Sequence, residues 1–205
     1  MNDCCATSSR DNPAVSQPAT LASFAVRPGV TFPDWSAVTS PVVKNALQAM
    51  VGSDHVLNRW SGYDPATDRV RVALLRLYAD HGGAPTISAL AERTKLSEMV
   101  IRPLLDELRR RDLVVLDGEL IVGAYPFSDH NTGHRVTLDG RTLNAMCAVD
   151  ALGIGAMTDR DTAIASPCGH CGALIRITTQ DRGRALADVE PQSAVMWQSV
   201  RYEGG

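Results

Sequence analysis

The stretch HRVTLDGRTLNAMCAVDALGIGA, residues 134–156, decides the fold of the second half of the chain. It begins with alternating polar and apolar residues, continues with an Asp-Gly pair and ends in an apolar run. Alternation is typical of a strand and Asp-Gly of a tight turn, whereas a longer apolar run without alternation favours a helix. The stretch therefore predicts a strand, a turn and then a helix of roughly residues 141–152.

Cys147 and Asp150 stand out in this predicted helix because they are three positions apart, a spacing that places both on one helix face. Cysteine is often only a small core hydrophobe, but aspartate is almost never fully buried without a partner. The pair is therefore either a packed cysteine beside a capping carboxylate or a reactive site. In a reactive site the thiolate is a nucleophile and a soft ligand, and the carboxyl group is a base or an acid.

The segment DTAIASPCGHCGALIRITT, residues 161–179, predicts two strands that flank a cysteine-rich turn, and one more strand is expected after it. The Cys168-x-x-Cys171 spacing is half of a zinc knuckle and also that of thiol–disulfide oxidoreductases. The oxidoreductase motif lies before a long helix, whereas this one lies between strands. A complete zinc site needs two more ligands, and the candidates are Cys147, His130, His134 and His170.

Upstream, residues 70–125 have the pattern of a winged helix. A helix that starts near Val70 ends at two glycines, and Thr86 or Ser88 is expected to cap the next one. A third helix follows Ser97, and LVVLDGELIVGAYP predicts a strand, an Asp-Gly turn and a second strand. This order of elements predicts a winged-helix-like region.

The third helix of this region is not that of a typical DNA reader. It begins with the acidic Glu98, and its basic cluster, Arg109 to Arg111, lies at the far end, where cations favour a helix terminus. Pro103 is expected to kink or shorten the helix. DNA is therefore not an expected partner.

Of the 205 residues, 44% are hydrophobic, which is enough for a core. The formal net charge of −3 lacks the basic excess that is typical of nucleic-acid binders. No apolar run reaches the roughly 18 residues of a membrane helix, and the N-terminus lacks a signal-peptide pattern, so a cytoplasmic protein without membrane partners is expected. The five cysteines are then expected to be thiols. Residues 1–40 are expected to be a disordered tail, 41–125 the helical winged-helix-like region and 126–205 a mixed core.

The order of these segments resembles one known family. AYPFSDHNTGHRVTLDGRTLNAMCAVDALGIGAM (124–157) and SPCGHCGALIRIT (166–178), followed by DVEP (188–191), look like the organomercurial, or alkylmercury, lyases. The resemblance covers roughly residues 70–195. It implies an α+β fold, with a winged-helix-like helical part followed by a mixed strand and helix lyase core.

The resemblance also implies a chemistry for the cysteine and the aspartate. Cys147 would attack mercury and Asp150 would relay a proton to the leaving carbon, which yields Hg(II) and a hydrocarbon without a required cofactor. Hg(II) would stay bound to both residues until other thiols remove it, either low-molecular-weight thiols or those of a mercuric reductase. The predicted metal ligands are Cys147, Asp150, Cys168 and Cys171.

Members of the family have a second catalytic cysteine past the EP turn, and no residue of this sequence matches it. Cys168 corresponds to an additional family cysteine that is usually thought structural, and Cys171 is extra. A second thiolate is therefore expected from Cys168, Cys171 or the vicinal pair Cys4 and Cys5, which can chelate a soft metal or be incidental. Two other interpretations remain: a non-catalytic protein that binds Hg(II) or Zn(II), with zinc at the Cys168/Cys171 turn, and a metal-responsive winged-helix regulator.

Overall fold

The structure, a computed structural model, describes residues 38–51 and 62–197. The chain divides into two compact units, whose described parts are 38–51 with 62–125 and 126–197. Neither unit contains, within these described residues, a helix long and apolar enough to cross a membrane.

The described part of the N-terminal unit contains four helices and a hairpin. Its elements are α1 (Pro41–Val51), α2 (Pro65–His81), α3 (Ile87–Thr94), α4 (Glu98–Arg110), β1 (Val114–Asp117) and β2 (Leu120–Ala124). Helices α2, α3 and α4 pack against one another in all three pairs. The core between them contains fully buried side chains from each helix: Leu74, Tyr78, Leu90, Ile101, Leu105 and Leu108.

Local signals set the ends of these helices. The Asp64 carboxylate accepts hydrogen bonds from the first turn of α2, and Gly82, at a φ of 81°, ends the helix as predicted. Thr86, rather than Ser88, caps α3, since its hydroxyl oxygen accepts a bond of 3.1 Å from the backbone N–H of Ala89. Ser97 occupies the N-cap of α4 without a side-chain cap bond.

Helix α4 continues through Pro103 to Arg110, so the prediction that Pro103 shortens the helix is wrong, and the alternative, a kink, stays a prediction. A proline removes one backbone hydrogen bond, whereas the apolar stripe of α4 is buried on both sides of it, at Ile101 and at Leu105. The antiparallel hairpin β1–β2 then follows at the predicted place, with its turn at Gly118. Three helices and a hairpin thus occur in the predicted order, and the winged-helix interpretation stays a prediction.

The C-terminal unit contains six strands and one helix within residues 126–197. They are β3 (Phe127–Ser128), β4 (Arg135–Leu138), β5 (Arg141–Ala145), α5 (Ala148–Thr158), β6 (Ala163–Pro167), β7 (Leu174–Gln180) and β8 (Ala185–Glu190). The strands pair antiparallel in the order β3-β5-β4-β6-β7-β8. The two strands around the cysteine-rich turn and the later strand, predicted from the sequence, are confirmed as β6, β7 and β8.

The prediction of a helix that starts near residue 141 is wrong. Asp139 and Gly140, with φ values of 45° and 79°, form a tight turn that sends the chain back as strand β5. Within β5, Leu143 and Ala145 are buried, so the strand has its own alternation. The helix begins only at Ala148. The prediction placed its start too early because the sequence pattern of β5 runs without interruption into that of α5.

Helix α5 connects two strands that run in the same direction. Strands β5 and β6 both pair antiparallel with β4, which lies between them, and α5 packs on all three. The buried row Leu143, Val136 and Ile164 crosses these strands, and α5 contributes the buried Ile154. The unit is therefore an α+β fold whose core lies between one sheet face and α5.

Candidate active site and metal-binding residues

Cys147 and Asp150 are brought together at the start of α5. Cys147 is the N-cap residue, with extended backbone angles (φ −150°, ψ 178°), and Asp150 is the third residue of the helix. N-cap and third-residue side chains face each other, as they do in a capping box. The sequence therefore predicted the proximity correctly but for the wrong reason, because Cys147 precedes the helix instead of lying inside it.

The surroundings of this pair favour the protonated thiol. Asp150 is 5% exposed and Cys147 is half-buried. Burial is the largest cause that raises the pKa of the Cys147 thiol, and the side-chain hydrogen bond with Asp150 raises it further. The backbone N–H groups of Asp150 and Val149 lower the pKa, but by less. The thiol proton is thus held beside a buried carboxylate.

This arrangement can exchange a proton for a soft cation. A thiol must lose its proton when it binds a soft metal ion, and the Asp150 carboxylate is the acceptor hydrogen-bonded to it. A carboxyl group that has gained this proton can return it to an atom next to the metal. Cys147 and Asp150 therefore provide a soft donor and a proton relay at one point.

Hydrogen bonds hold the two residues that precede Cys147 in place. The Ala145 N–H donates to the His134 carbonyl oxygen at 2.8 Å, and the Thr132 hydroxyl donates to the Ala145 carbonyl oxygen at 2.5 Å. The Met146 N–H donates to the Pro126 carbonyl oxygen at 2.9 Å. The residues before Cys147 are therefore held on both sides, and the role of Thr132, in the segment NTGH, was missed from sequence.

His134 is held by a side chain that sequence reasoning also missed. Its Nδ1 lies 3.1 Å from the Ser166 Oγ, across the β4–β6 pairing. The alternation of β6 buries Ser166 together with Ile164, and this was the signal that could have found it.

Cys168 and Cys171 lie in the turn between β6 and β7. The Cys168 N–H donates to the Ala173 carbonyl oxygen at 2.8 Å, and the Gly172 N–H donates to the Cys168 carbonyl oxygen at 2.9 Å. Cys168 is half-buried and Cys171 is exposed, and neither forms a disulfide.

The four predicted metal ligands do not form one cluster. Over residues 38–51 and 62–197, no group of three or more His, Cys, Asp or Glu residues is placed to hold a metal ion. The structure thus places Cys147 with Asp150 and, separately, Cys168 with Cys171, and their roles stay predictions. Cys4 and Cys5 lie outside the described residues.

Comparison with known proteins identifies the C-terminal region. Residues 127–205 match the family model described as alkylmercury lyase. An alkylmercury lyase of Staphylococcus epidermidis is 36% identical over 124 residues. Residues 127–205 are therefore similar in sequence to the alkylmercury lyases. Alkylmercury lyases of Bacillus cereus and Clostridium butyricum are each 38% identical over 65 residues.

These matches to alkylmercury lyases cover part of each protein. The match with the Staphylococcus epidermidis enzyme covers 60% of this chain and 54% of the relative. The matches with the other two enzymes cover 32% of this chain and 29% of each relative. The chain thus spans about half the length of the curated alkylmercury lyase that it matches most extensively among these three.

The fold is also similar to a solved structure described as the mercury-bound form of MerB2. The TM-score is 0.54 at 24% sequence identity, and the match covers 73% of this chain and 68% of that chain. The likeness supports the α+β fold of the chain.

Proposed function

We propose that the protein cleaves the carbon–mercury bond of small organomercurials and releases Hg(II) and a hydrocarbon. One observation carries the proposal: the buried Asp150 carboxylate is hydrogen-bonded to the Cys147 thiol at the N-terminus of α5, inside the region that matches alkylmercury lyases. Such a pair supplies the two things that the reaction needs, an electron donor for mercury and a proton for carbon.

The reaction begins when Asp150 takes the thiol proton and the Cys147 sulfur bonds to mercury, which displaces the ligand that the organomercurial brought with it. The electron pair of the carbon–mercury bond then takes the proton from the Asp150 carboxyl group. The hydrocarbon leaves, and Hg(II) stays bound to the Cys147 thiolate and the Asp150 carboxylate. Cys147 and Asp150 start with one proton between them, and carbon receives that proton, so the step is balanced without an oxidant or a reductant.

Hg(II) leaves this site by exchange with other thiols, either low-molecular-weight thiols or those of a mercuric reductase. Two incoming thiols bring two protons. One returns to the Cys147 and Asp150 pair, which restores its single resting proton, and the other is released to water. A supply of reduced thiols is characteristic of the cytoplasm, which we propose as the place of the reaction.

DNA binding is not part of the proposal. The arginines at the C-terminal end of α4 form ion pairs with acidic residues of the same helix: Arg109 with Asp106, and Arg110 and Arg111 with Glu107. Arg102 pairs with Glu98 and Glu119. Because acidic neighbours balance these arginines, α4 lacks the unpaired basic face that binds phosphates.

The test is hydrocarbon release from phenylmercury. The reduced full chain is incubated with phenylmercury and excess thiol, and benzene is measured by gas chromatography beside Cys147→Ser and Asp150→Asn. We expect no release above background from Cys147→Ser. We expect a loss of about 10² or more in rate from Asp150→Asn, the usual contribution of a positioned acid.

Asp188→Asn, an exposed aspartate of β8, is the matched control and is expected to keep the wild-type rate. Benzene release that survives both Cys147→Ser and Asp150→Asn would remove the proposed site. Stoichiometric mercury binding through Cys147 without benzene release would identify a non-catalytic metal-binding relative.

A further inference from the structure

We propose that Cys168 and Cys171 form a dithiol site that binds Hg(II) and accepts it from Cys147 and Asp150 after cleavage. The binding of Hg(II) by Cys168 and Cys171, the binding half of the proposal, is argued from the turn itself. The transfer of Hg(II) from Cys147 and Asp150, the transfer half, rests on the proposed function. The proposed donor residues, Cys147 and Asp150, and the proposed acceptor residues, Cys168 and Cys171, all lie in the C-terminal unit.

The turn that carries the two thiols has a fixed shape. Two backbone hydrogen bonds, from Cys168 to Ala173 and from Gly172 to Cys168, close it at the ends of β6 and β7. Gly172, at a φ of 74°, takes the left-handed conformation that the return of the chain requires. Cys168 and Cys171 are therefore held on one short turn, with Cys171 exposed to incoming thiols.

The sheet places this turn at the same end as Cys147. Arg135 of β4 pairs with Asn144 on one side and with Ala165 on the other. Cys147 follows Asn144 by three residues, and Cys168 follows Ala165 by three residues. Since β5 and β6 run in the same direction, both cysteines follow their strands at one end of the sheet, where the two strands lie about 10 Å apart at two strand spacings.

The ligand chemistry favours Hg(II) over Zn(II). Structural zinc takes four ligands, and the described part of the chain gathers no group of three or more residues that could hold a metal. Thiolates select soft metals, and two of them satisfy a soft, two-coordinate ion. A dithiol is also a softer donor set than one thiolate with one carboxylate, so Hg(II) is expected to move from Cys147 and Asp150 to the turn.

The transfer needs no redox partner. The Cys168 and Cys171 thiols each lose a proton and form a sulfur–mercury bond. The bonds from mercury to the Cys147 sulfur and to the Asp150 oxygen break. One of the two protons returns to this pair, which restores its single resting proton, and the other is released to water. External thiols then remove Hg(II) from the exposed turn.

The binding half is tested with inorganic Hg(II) on the full chain that carries Cys4→Ser, Cys5→Ser and Cys147→Ser. Mercury is titrated against a monothiol competitor, and sulfur–mercury charge-transfer absorbance and intact-mass spectrometry report affinity and stoichiometry. We expect one Hg(II) per chain. Cys171→Ser should lower the affinity at least about tenfold, since the second thiol acts at high effective concentration.

Ala173→Ser, an exposed change in the same turn, is the matched control for this titration and should keep the affinity. Cys171→Ser is preferred to Cys168→Ser because Cys171 is exposed, and an exposed substitution is expected to leave the fold intact. Unchanged affinity in Cys171→Ser, or no competitor-resistant mercury in its parent, would overturn the dithiol site.

The transfer half is tested in chains that retain Cys147, with phenylmercury and limiting external thiol. Cys171→Ser should slow the turnovers after the first several-fold relative to Ala173→Ser. Equal turnover in the two variants would contradict transfer. If the titration shows Hg(II) binding by Cys168 and Cys171 but no chain releases benzene, the proposed lyase function is contradicted and the dithiol site is supported. If benzene is released but the titration shows no Hg(II) binding by this turn, the dithiol site is contradicted and the lyase function is supported.

Discussion

Cys147 occupies the N-cap position of the helix in which Asp150 is the third residue, and the buried carboxylate of Asp150 is hydrogen-bonded to the Cys147 thiol. Burial and the carboxylate both raise the pKa of Cys147, and both act by disfavouring the thiolate. The cysteine is thus protonated at rest. Under the proposed function, this is the proton that the carbon atom receives.

The raised pKa predicts the pH dependence of Cys147 alkylation. Because only the thiolate reacts, the rate of carbamidomethylation should rise with pH around a midpoint above that of an ordinary thiol. Asp150→Asn removes a negative charge beside the sulfur, which stabilises the thiolate, so its midpoint should move to lower pH. Peptide mass spectrometry gives the rates, with Cys171 in the same sample as the exposed reference. An unchanged midpoint in Asp150→Asn would contradict the coupling.

Gly183 is predicted to tolerate no side chain. It has a φ of 76°, and a Cβ on it would lie 2.2 Å from the carbonyl carbon of Gly155 in α5. Gly183→Ala should cost about 1–3 kcal/mol for the clash in addition to about 1–2 kcal/mol for the left-handed backbone. Urea unfolding measures the loss.

Gly140→Ala isolates the backbone part of this cost. Gly140 has a φ of 79°, and a Cβ on it would meet nothing within 4 Å. We expect Gly140→Ala to lower the free energy of unfolding by only about 1–2 kcal/mol, the cost of the left-handed backbone. Equal losses in Gly183→Ala and Gly140→Ala would show that α5 and the β7–β8 turn separate easily.

Asp159, the residue that ends α5, is predicted to stabilise the fold in a pH-dependent way. A hydrogen bond from Arg184, at 2.5 Å, is the largest cause that lowers the pKa of Asp159, and Arg182 adds to it. Since the folded pKa is the lower one, the stabilisation is present above the unfolded pKa and is lost as pH falls through the folded pKa. Asp159→Asn should therefore lower the melting temperature at neutral pH.

Asn tolerates the φ of 61° at this position, so the Asp159→Asn comparison tests the charge and not the backbone. The difference from wild type should shrink as the pH enters the acid range, as scanning calorimetry would show. A difference that stays constant with pH would contradict the ion-pair account.

The two N-caps of the N-terminal unit are predicted to differ in strength. The Thr86 hydroxyl accepts a bond from Ala89 at the start of α3, whereas Ser97 makes no side-chain cap bond at the start of α4. Thr86→Ala should cost about 1 kcal/mol of unfolding free energy and Ser97→Ala clearly less. Equal losses in chemical denaturation would show that the hydroxyl of Ser97 caps α4 in solution.

The sequence by itself determined the elements whose signals are local. Gly82 ends α2 because it takes a left-handed conformation without steric cost, and the Asp-Gly pairs at 117–118 and 139–140 set two tight turns. The alternation on either side of the Cys168 turn predicted both strands. The spacing of Cys147 and Asp150 predicted that their side chains meet, because N-cap and third-residue positions are as close as two positions on one helix face.

Only the tertiary structure decided where β5 ends and α5 begins, since the apolar residues of both elements read as one run and pairing with β4 selects the strand. It also decided that Cys147 and Cys168 follow parallel strands on either side of β4 at one end of the sheet. Strand order and register are long-range properties, and no local pattern encodes which residue of β5 and which residue of β6 pair with Arg135.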